Sequence, residues 1–360
     1  ANRLVGSEMC IRDRILILGT GIFLSLGLKG FTLTYIAVAF KQLFSKEEDS
    51  SSGEISSFQS LTTALSATVG TGNIAGVATA IFVGGPGAIF WMWVSAVFGM
   101  ATKFAEAFLA IKYREKNELG ETIGGPMYYI KNGLTSKFIV FAYLFAAAGM
   151  IAALGIGNGV QVNSVSQVIN NEFGFSTFSI GIVIAILVAL VILGGIKSIG
   201  NITSKLVPVM SLVYILGGLL IIILNSSQVG YVFNLIVTSA FTSTAATGGF
   251  AGATVWMALR YGVARGVFSN EAGLGSSPIA HAADKTNNPV KQGMISMLEP
   301  LIDTLIVCTI TAFVILMSNQ WVGEINGAVL TVASFENLLA NGKYIVIFGL
   351  ILFSFSTIIG

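Results

Sequence analysis

The chain has 360 residues, of which 54% are hydrophobic and only 10% are charged, and its mean hydropathy is +0.84. Soluble domains carry about 25% charged residues, so this composition indicates a polytopic membrane protein. The stretches 55–102, 206–259 and 304–323 hold no charge, and each covers the roughly 20 apolar residues that cross a bilayer. These runs exclude a soluble enzyme, a nucleic-acid-binding protein and a disordered tail. One histidine and two distant cysteines leave no credible structural zinc site and no disulfide framework.

The N-terminal region divides into three predicted segments. Residues 1–14 fit neither a signal peptide nor an apolar span, so we expect them to be a non-native remnant outside the fold. The apolar stretch 15–28 predicts an extra helix, and 31–44 predicts a helix along the membrane interface. The charged, serine-rich segment 45–57 predicts a solvated loop, which completes an N-terminal unit of residues 15–57.

Apolar segments further along predict eight membrane-spanning helices, or nine with the first stretch. They are 58–82, 87–111, 138–168, 177–195, 204–224, 233–258, 292–317 and 344–360. Lysine and arginine concentrate in alternate connections, which predicts that the 58–82 helix starts in the cytoplasm and that the 15–28 stretch enters from outside. One predicted cytoplasmic connection is 260–291, with Arg260 and Arg265 at its start. Because the chain stops inside an apolar run, we expect further spans beyond it.

The first of the eight helices has a glycine-rich interruption near mid-membrane. Its polar and flexible residues are Thr68, Gly70, Thr71, Gly72 and Asn73. Two glycines one residue apart weaken the helix, and backbone groups freed in lipid must line a cavity or bind a ligand. Transporters use such breaks to hold a carboxylate at exposed N–H groups and Na⁺ at freed carbonyls. The alternative is close helix packing through Gly72 and Gly76.

A second interruption falls in the 233–258 helix. It runs from Thr247 to Ala253 and includes Gly248, Gly249 and Phe250. By the loop charges, the two interrupted helices enter the membrane from opposite sides, which is the pattern of an inverted repeat. This pattern predicts a first repeat of five spans over 58–224 and an incomplete second repeat of about three spans over 225–360.

Longer motifs carry a family resemblance. They are Ser66 to Gly76, the Gly84-Gly85-Pro86-Gly87 turn, Lys103 to Glu106, Gly124 to Tyr129, Gly248 to Gly266, and Ser269 to Gly273 on to His281. In these motifs the chain resembles the alanine/glycine:cation symporter family, over about residues 15–360. The resemblance implies an all-α, leucine-transporter-type fold with one extra N-terminal helix before two inverted repeats, truncated at its C-terminus. It makes 58–82, 233–258 and 344–360 core helices one, six and eight.

The resemblance also implies a site and an activity. The Na⁺ ligands would be the carbonyls of Ser66, Val69 and Phe353 and the hydroxyls of Ser356 and Thr357. The substrate carboxylate would meet N–H groups near Thr71 and Gly72, and its ammonium group would meet carbonyls near Thr68 and Gly248. We therefore expect a non-enzymatic symporter in a prokaryotic plasma membrane, the inner one if Gram-negative. It would import alanine or glycine by alternating access, with Na⁺ as coupling ion and no cofactor. Proton coupling, another amino acid, or a channel are the alternatives, and beyond the lipid bilayer we expect no nucleic-acid partner.

Other polar residues of the chain allow more than one interpretation. Gln161 belongs to a polar patch that indicates either interhelical hydrogen bonding or a cavity lining, and we include it among the substrate-binding residues. Glu299 and Asp303 lie four residues apart on one helix face, which suits a structural or gating role, or direct contact with a coupling ion. The remaining predictions are an ion pair between Lys103 and Glu106, and loop-ordering hydrogen bonds from Glu271 and His281.

Overall fold

A computed structural model describes residues 11–45, 53–242 and 255–360. Its helices, numbered in chain order, are α1 Ile11–Gly27, α2 Phe31–Thr34, α3 Ile36–Leu43, α4 Ser57–Thr68, α5 Val77–Gly84, α6 Gly87–Lys112, α7 Pro126–Gly133, α8 Ile139–Ala152, α9 Val160–Phe173, α10 Thr177–Ile192, α11 Gly195–Leu224, α12 Val229–Ser239, α13 Val255–Asn270, α14 Ser277–Ala282, α15 Pro289–Ser296, α16 Leu298–Pro300, α17 Thr309–Met317, α18 Gly327–Leu338 and α19 Lys343–Ile359. The π-helical segments Gly72–Gly76, Ala153–Gly159 and Leu301–Cys308 connect neighbouring α-helices. Strands β1 Glu115–Lys116 and β2 Thr122–Ile123 form a small antiparallel hairpin. The predicted all-α class is confirmed.

Several helices have the length and composition of membrane spans. Four helical stretches of the described chain are long and apolar enough, namely Gly87–Lys112, Ser136–Phe173, Gly195–Leu224 and Pro289–Met317. A bent pair, Ser57–Thr68 with Gly72–Gly84, adds a fifth if it counts as one span. The apolar helices α10 and α19 are shorter. The predicted spans contain helices wherever their residues are described, part of the 233–258 span lies outside the described residues, and the total of eight or nine stays a prediction.

The core lies where α4, α11, α18 and α19 meet. Tyr214 of α11 is fully buried there, with its ring centroid 5.7 Å from that of Phe335 and 5.2 Å from that of Phe353. Its hydroxyl shares a 2.8 Å hydrogen bond with the Thr311 hydroxyl, so the one polar atom of this large side chain has a partner. Large apolar side chains on α10 remain exposed, which suits contact with lipid.

Helices α6 and α13 pack closely and run in the same direction. Gly262 lies against Ala88, and Gly266 lies against Ser95, so the order of contacts is the same along both helices. A Cβ atom at either glycine would overlap these neighbours, which explains why glycine occupies both positions. Since only a two-residue turn joins α5 to α6, α13 also runs opposite to α5.

Arg260 and Arg265 lie at a helix boundary that differs from the prediction. We expected the sixth span to end at residue 258 and both arginines to begin a cytoplasmic loop. In the structure α13 continues to Asn270 alongside α6, so both arginines lie on this helix. The helix has no stop signal near residue 258, and the glycines that let it pack on α6 come after that point. Loop charge alone therefore placed this boundary a dozen residues too early.

Two further boundaries differ from the prediction. Helix α1 begins at Ile11, and its Arg14 side chain is only 6% exposed, so residue 14 is not a boundary of the fold. The connection 318–343 contains the twelve-residue helix α18, which we did not predict. This helix reaches the interior, where the Thr331 hydroxyl donates a 3.0 Å hydrogen bond to the Ile74 carbonyl.

Candidate substrate and ion site

The first predicted break is present. Helix α4 ends at Thr68, Val69 is extended (φ −77°, ψ 90°), and the helix axis bends by 51° before the chain continues from Gly72. The backbone N–H of Gly70 donates to Asn73 Oδ1 at 2.8 Å, and that of Thr71 donates to Gln161 Oε1 at 3.1 Å. Side-chain oxygens thus accept hydrogen bonds from these two N–H groups, which in a continuous helix would donate to the carbonyls four residues earlier. The predicted loss of helical hydrogen bonds in this stretch is confirmed.

The end of α19 reaches the break. The Thr357 hydroxyl lies 3.3 Å from the Val69 carbonyl oxygen and 2.9 Å from that of Phe353. The buried Ser356 hydroxyl has no hydrogen-bond partner among the described residues. An α-helix carbonyl, a carbonyl freed at a break and two hydroxyls offer the neutral oxygens that a hard cation prefers. The structure therefore brings together three of the five predicted Na⁺ ligands, Val69, Phe353 and Thr357, and Ser356 is the residue before Thr357 on the same helix.

Ser66, the fifth predicted ligand, lies one turn before the break. Its hydroxyl donates to the Thr63 carbonyl at 2.7 Å, and its side chain packs against Gly360 at the end of α19. In a continuous helix its carbonyl would accept from the Gly70 N–H, which instead bonds to Asn73. Ser66 therefore lies against the end of α19, the helix that carries Phe353, Ser356 and Thr357.

The predicted substrate residues of the first break point in different directions. A Cβ atom at Gly70 would overlap the Thr357 hydroxyl and lie 3.3 Å from Gln161 Oε1, so Gly70 faces α9 and α19. A Cβ atom at Gly72 would lie 3.5 Å from Ser269 Cα and 3.6 Å from the Phe268 ring, so Gly72 faces α13. Gly70 is therefore packed closely against Gln161 and Thr357.

Thr68 and Thr71 are both buried at the break. The Thr68 hydroxyl is directed back to its own helix, 3.3 Å from the Leu65 carbonyl. The three predicted substrate residues of the second break, Gly248, Gly249 and Phe250, lie outside the described residues. Of the predicted substrate residues, Gly70, Thr71 and Gln161 come together at one point, and Asn73 bonds to Gly70 through its oxygen and to Asp303 through its nitrogen.

Asn73 belongs to a buried polar network that we did not predict. Its amide nitrogen lies 2.6 Å from Asp303 Oδ1, and the hydroxyls of Ser269 and Thr304 each lie 2.7 Å from Asp303 Oδ2. The network joins the broken helix to α13 and to the π-helical segment Leu301–Cys308. The sequence marks Asp303 as an intramembrane carboxylate. No spacing rule links it to Ser269 and Asn73, which are 34 and 230 positions away in the chain.

Glu299 is separate from Asp303 and has its own partners. Lys103 Nζ lies 2.8 Å from Glu299 Oε2, and His281 Nε2 lies 2.6 Å from Glu299 Oε1. The predicted pairing of Lys103 with Glu106 is therefore wrong, because Lys103 of α6 pairs with Glu299 of the neighbouring helix α16. His281 does order its loop as predicted, and Glu271 does so through a hydrogen bond from Ser276.

A polar cluster also ties the start of α4 to the loop after α14. The hydroxyls of Ser57 and Ser60 donate to Asp284 at 3.2 and 2.8 Å. Arg114 donates to the backbone carbonyls of Ala282 and Asp284 in the same loop. Burial raises the pKa of Asp284 and lowers that of Arg114. The cluster holds the N-terminal half of the broken helix in place.

A mostly helical, apolar protein whose broken helix meets hydroxyl groups of a neighbouring helix has the construction of a secondary transporter. The chain belongs to the sodium:alanine symporter family, whose model matches residues 4–360. Sodium/alanine symporter AgcS of Methanococcus maripaludis is 50% identical over 353 residues, which cover 96% of this chain and 77% of that protein. The putative sodium/proton-dependent alanine carrier protein YrbD of Bacillus subtilis is 45% identical, covering 85% of this chain and 61% of the relative. The probable sodium/glutamine symporter GlnT of the same organism is 38% identical, covering 100% of this chain and 74% of the relative.

Proposed function

We propose that this protein is a secondary transporter that imports a small neutral amino acid, alanine or glycine, together with Na⁺. The observation that carries the proposal is the convergence of the Thr357 hydroxyl with the carbonyls of Val69 and Phe353 at a broken helix. Membership of the sodium:alanine symporter family and 50% identity to a sodium/alanine symporter support the coupling to Na⁺ and the class of substrate.

The proposed architecture is a leucine-transporter-type inverted repeat, with residues 58–224 as the first repeat and 225–360 as part of the second. The opposite directions of α5 and α13 support it, because two repeats of inverted topology place their first helices antiparallel. Under this proposal the break at 248–252 lies beside the one at Gly70, and both line a single substrate site. Residues 11–43 form the extra N-terminal part that packs against the core.

In the proposed mechanism Na⁺ binds first-break carbonyls and the hydroxyls of α19, and the amino acid binds next to it. N–H groups near Thr71 and Gly72 take the substrate carboxylate, and carbonyls near Thr68 and Gly248 take its ammonium group. In the structure the Thr71 N–H donates to Gln161, so the substrate carboxylate either replaces Gln161 as the acceptor or accepts from this N–H together with it. Na⁺ bound to the Val69 carbonyl and Thr357 bridges α4 and α19, and alternating access follows when the bundle that contains the broken helices rocks against the scaffold.

The choice of substrate rests on the relatives, because Gly70 is already packed against its neighbours. Thr357 and Gln161 stand so close to Gly70 that even one added methyl group would overlap the threonine hydroxyl. We favour alanine or glycine over glutamine because the chain is 50% identical to a sodium/alanine symporter and 38% identical to a probable sodium/glutamine symporter.

Uptake by proteoliposomes tests the proposal. Purified protein is reconstituted, and uptake of labelled alanine is measured with an inward Na⁺ gradient and with choline replacing Na⁺. We expect accumulation only with the Na⁺ gradient, competition by unlabelled glycine, and little competition by glutamine. Equal uptake with choline would contradict coupling to Na⁺, and stronger competition by glutamine than by glycine would contradict the proposed substrate.

A further inference from the structure

Asp303 is a carboxylate sealed inside the helix bundle, and the proposed Na⁺ and amino acid sites do not include it. Its side chain is 0% exposed. Asn73 donates to Oδ1, and the hydroxyls of Ser269 and Thr304 donate to Oδ2, so all three donors are neutral. Among the described residues, no lysine, arginine or histidine forms an ion pair with it. An ionised carboxylate in such a place is costly unless its charge is compensated.

The positively charged groups on the helices around Asp303 are engaged elsewhere. The ionisable groups on these helices include Lys103 and Glu106 on α6, Tyr214 on α11, Arg260 and Arg265 on α13, Glu299 on α16, and Cys308 in the segment of Asp303 itself. Lys103, the positive group of α6, is 2.8 Å from Glu299, which already balances its charge. The Arg265 guanidinium lies over the Phe268 ring, 5.9 Å from its centroid. These partners leave the negative charge of Asp303 without a dedicated counterion.

We propose that Asp303 binds a proton on Oδ2 and releases it when Na⁺ binds at the neighbouring break. Oδ1 is not the proton-carrying atom, because the Asn73 amide that faces it can only donate there. That amide is oriented by its own oxygen, which accepts from the Gly70 N–H at 2.8 Å. Both partners of Oδ2 are hydroxyls, and a hydroxyl can turn from donor to acceptor.

The proton can be added without losing a hydrogen bond. The new O–H of Asp303 donates to the Ser269 oxygen, and the Ser269 hydrogen turns to the Cys308 sulfur, 3.2 Å away. Thr304 continues to donate to Oδ2. The proton comes from water and returns to water, and no other bond forms or breaks. Contacts of 2.6 to 2.7 Å on both oxygens leave no gap for a metal ion among these groups.

Asn73 connects this carboxylate to the proposed Na⁺ site, so the inference rests on the proposed function. Its amide bonds to Asp303 on one side and to Gly70 on the other, and the Val69 carbonyl is the next backbone group. A cation at that carbonyl favours the ionised form of a nearby carboxylate. Na⁺ and the proton therefore compete, and lowering the pH weakens Na⁺ binding.

Proton release on Na⁺ addition tests this directly. Purified protein in detergent and minimal buffer, with a pH-indicator dye, receives NaCl or choline chloride. We expect up to one proton per protein to be released by NaCl only, and none from Asp303→Asn. The matched control Glu172→Gln, which removes an exposed carboxylate paired with Lys343, should release as much as the unaltered protein. In uptake assays, the Na⁺ concentration for half-maximal rate should rise by up to about tenfold per unit fall in pH, the limit for one linked proton.

Release of the same number of protons by Asp303→Asn would overturn the proposal, as would intact Na⁺-driven uptake without any proton release. If Asp303→Asn fails to fold, Thr304→Val replaces it. That variant removes one donor to Oδ2, destabilises the ionised form and should shift proton release to higher pH; an unchanged pH range would also overturn the proposal. Alanine uptake by the unaltered protein without Na⁺ would contradict the proposed function. The proton-release measurement in detergent does not depend on uptake, so it tests the proposal on Asp303 by itself.

Discussion

Replacement of Thr357 by alanine removes the side-chain oxygen that joins α19 to the break. In the structure this oxygen lies 3.3 Å from the Val69 carbonyl and 2.9 Å from the Phe353 carbonyl, so its loss takes away one of about five proposed Na⁺ ligands. An interaction with a charged group contributes about 1.5 to 3 kcal/mol. Since 1.4 kcal/mol corresponds to tenfold in affinity, the Na⁺ concentration for half-maximal alanine uptake should rise by about tenfold to about a hundredfold.

The assay is initial-rate uptake in proteoliposomes over a series of Na⁺ and alanine concentrations. By linkage, Thr357→Ala should weaken apparent alanine affinity at low Na⁺ more than at saturating Na⁺. Thr357→Ser keeps the oxygen and should retain most of the Na⁺ affinity. Ser354→Ala removes another buried hydroxyl of α19 outside the proposed ligand set, and its Na⁺ dependence should be unchanged.

A uniformly lower rate with unaltered Na⁺ dependence would refute this reasoning, because it would assign Thr357 a packing role. The same Na⁺ shift in Ser354→Ala would refute it as well, since the effect would then come from a general loosening of α19. Surface labelling of each variant separates these outcomes from failure to reach the membrane.

Two other substitutions test the packing around the site. Gly70→Ala should abolish uptake while Gly72→Ala retains part of it, because only the first methyl group would overlap a neighbouring side chain; labelled-alanine uptake at equal protein density compares them. Lys103→Met should lower the stability of the protein by about 3 to 5 kcal/mol, because Glu299 would be left as a buried carboxylate without its ammonium partner. Thermal unfolding in detergent measures the loss, and adding Glu299→Gln should restore part of it; no difference between the single and double variants would contradict the pairing.

The broken helix could be predicted from the sequence because its cause is local. Gly70 and Gly72 lie within three residues in an apolar stretch, and both the position of the break and its contact with Thr357 are found in the structure. The partner of Lys103 could not be predicted in this way. Helical spacing pointed to Glu106, three residues away, but the carboxylate that reaches the ammonium group comes from Glu299 on another element.

The ends of helices were less predictable than their centres for a related reason. Helix α13 carries Arg260 and Arg265, and charge was taken as the sign of a loop, yet its glycines pack on α6 and continue the helix to Asn270. Helix α18 was missed because its sequence is too polar for a span and has no long apolar run. It forms because tertiary contacts, such as that between Thr331 and Ile74, stabilise a short helix that would be marginal alone.

The hydrogen bonds at the break bear on how the proposed substrate is selected. With the Gly70 N–H on Asn73 and the Thr71 N–H on Gln161, these two freed donors already have neutral acceptors. A ligand therefore gains only the difference between its own bond and the one it replaces. A carboxylate makes a charge-assisted hydrogen bond, roughly twice as strong as one to a neutral amide, and so it can displace Gln161. An uncharged amide or alcohol of the same size offers no such gain. The side chains that stabilise the break thus favour ligands with a carboxylate.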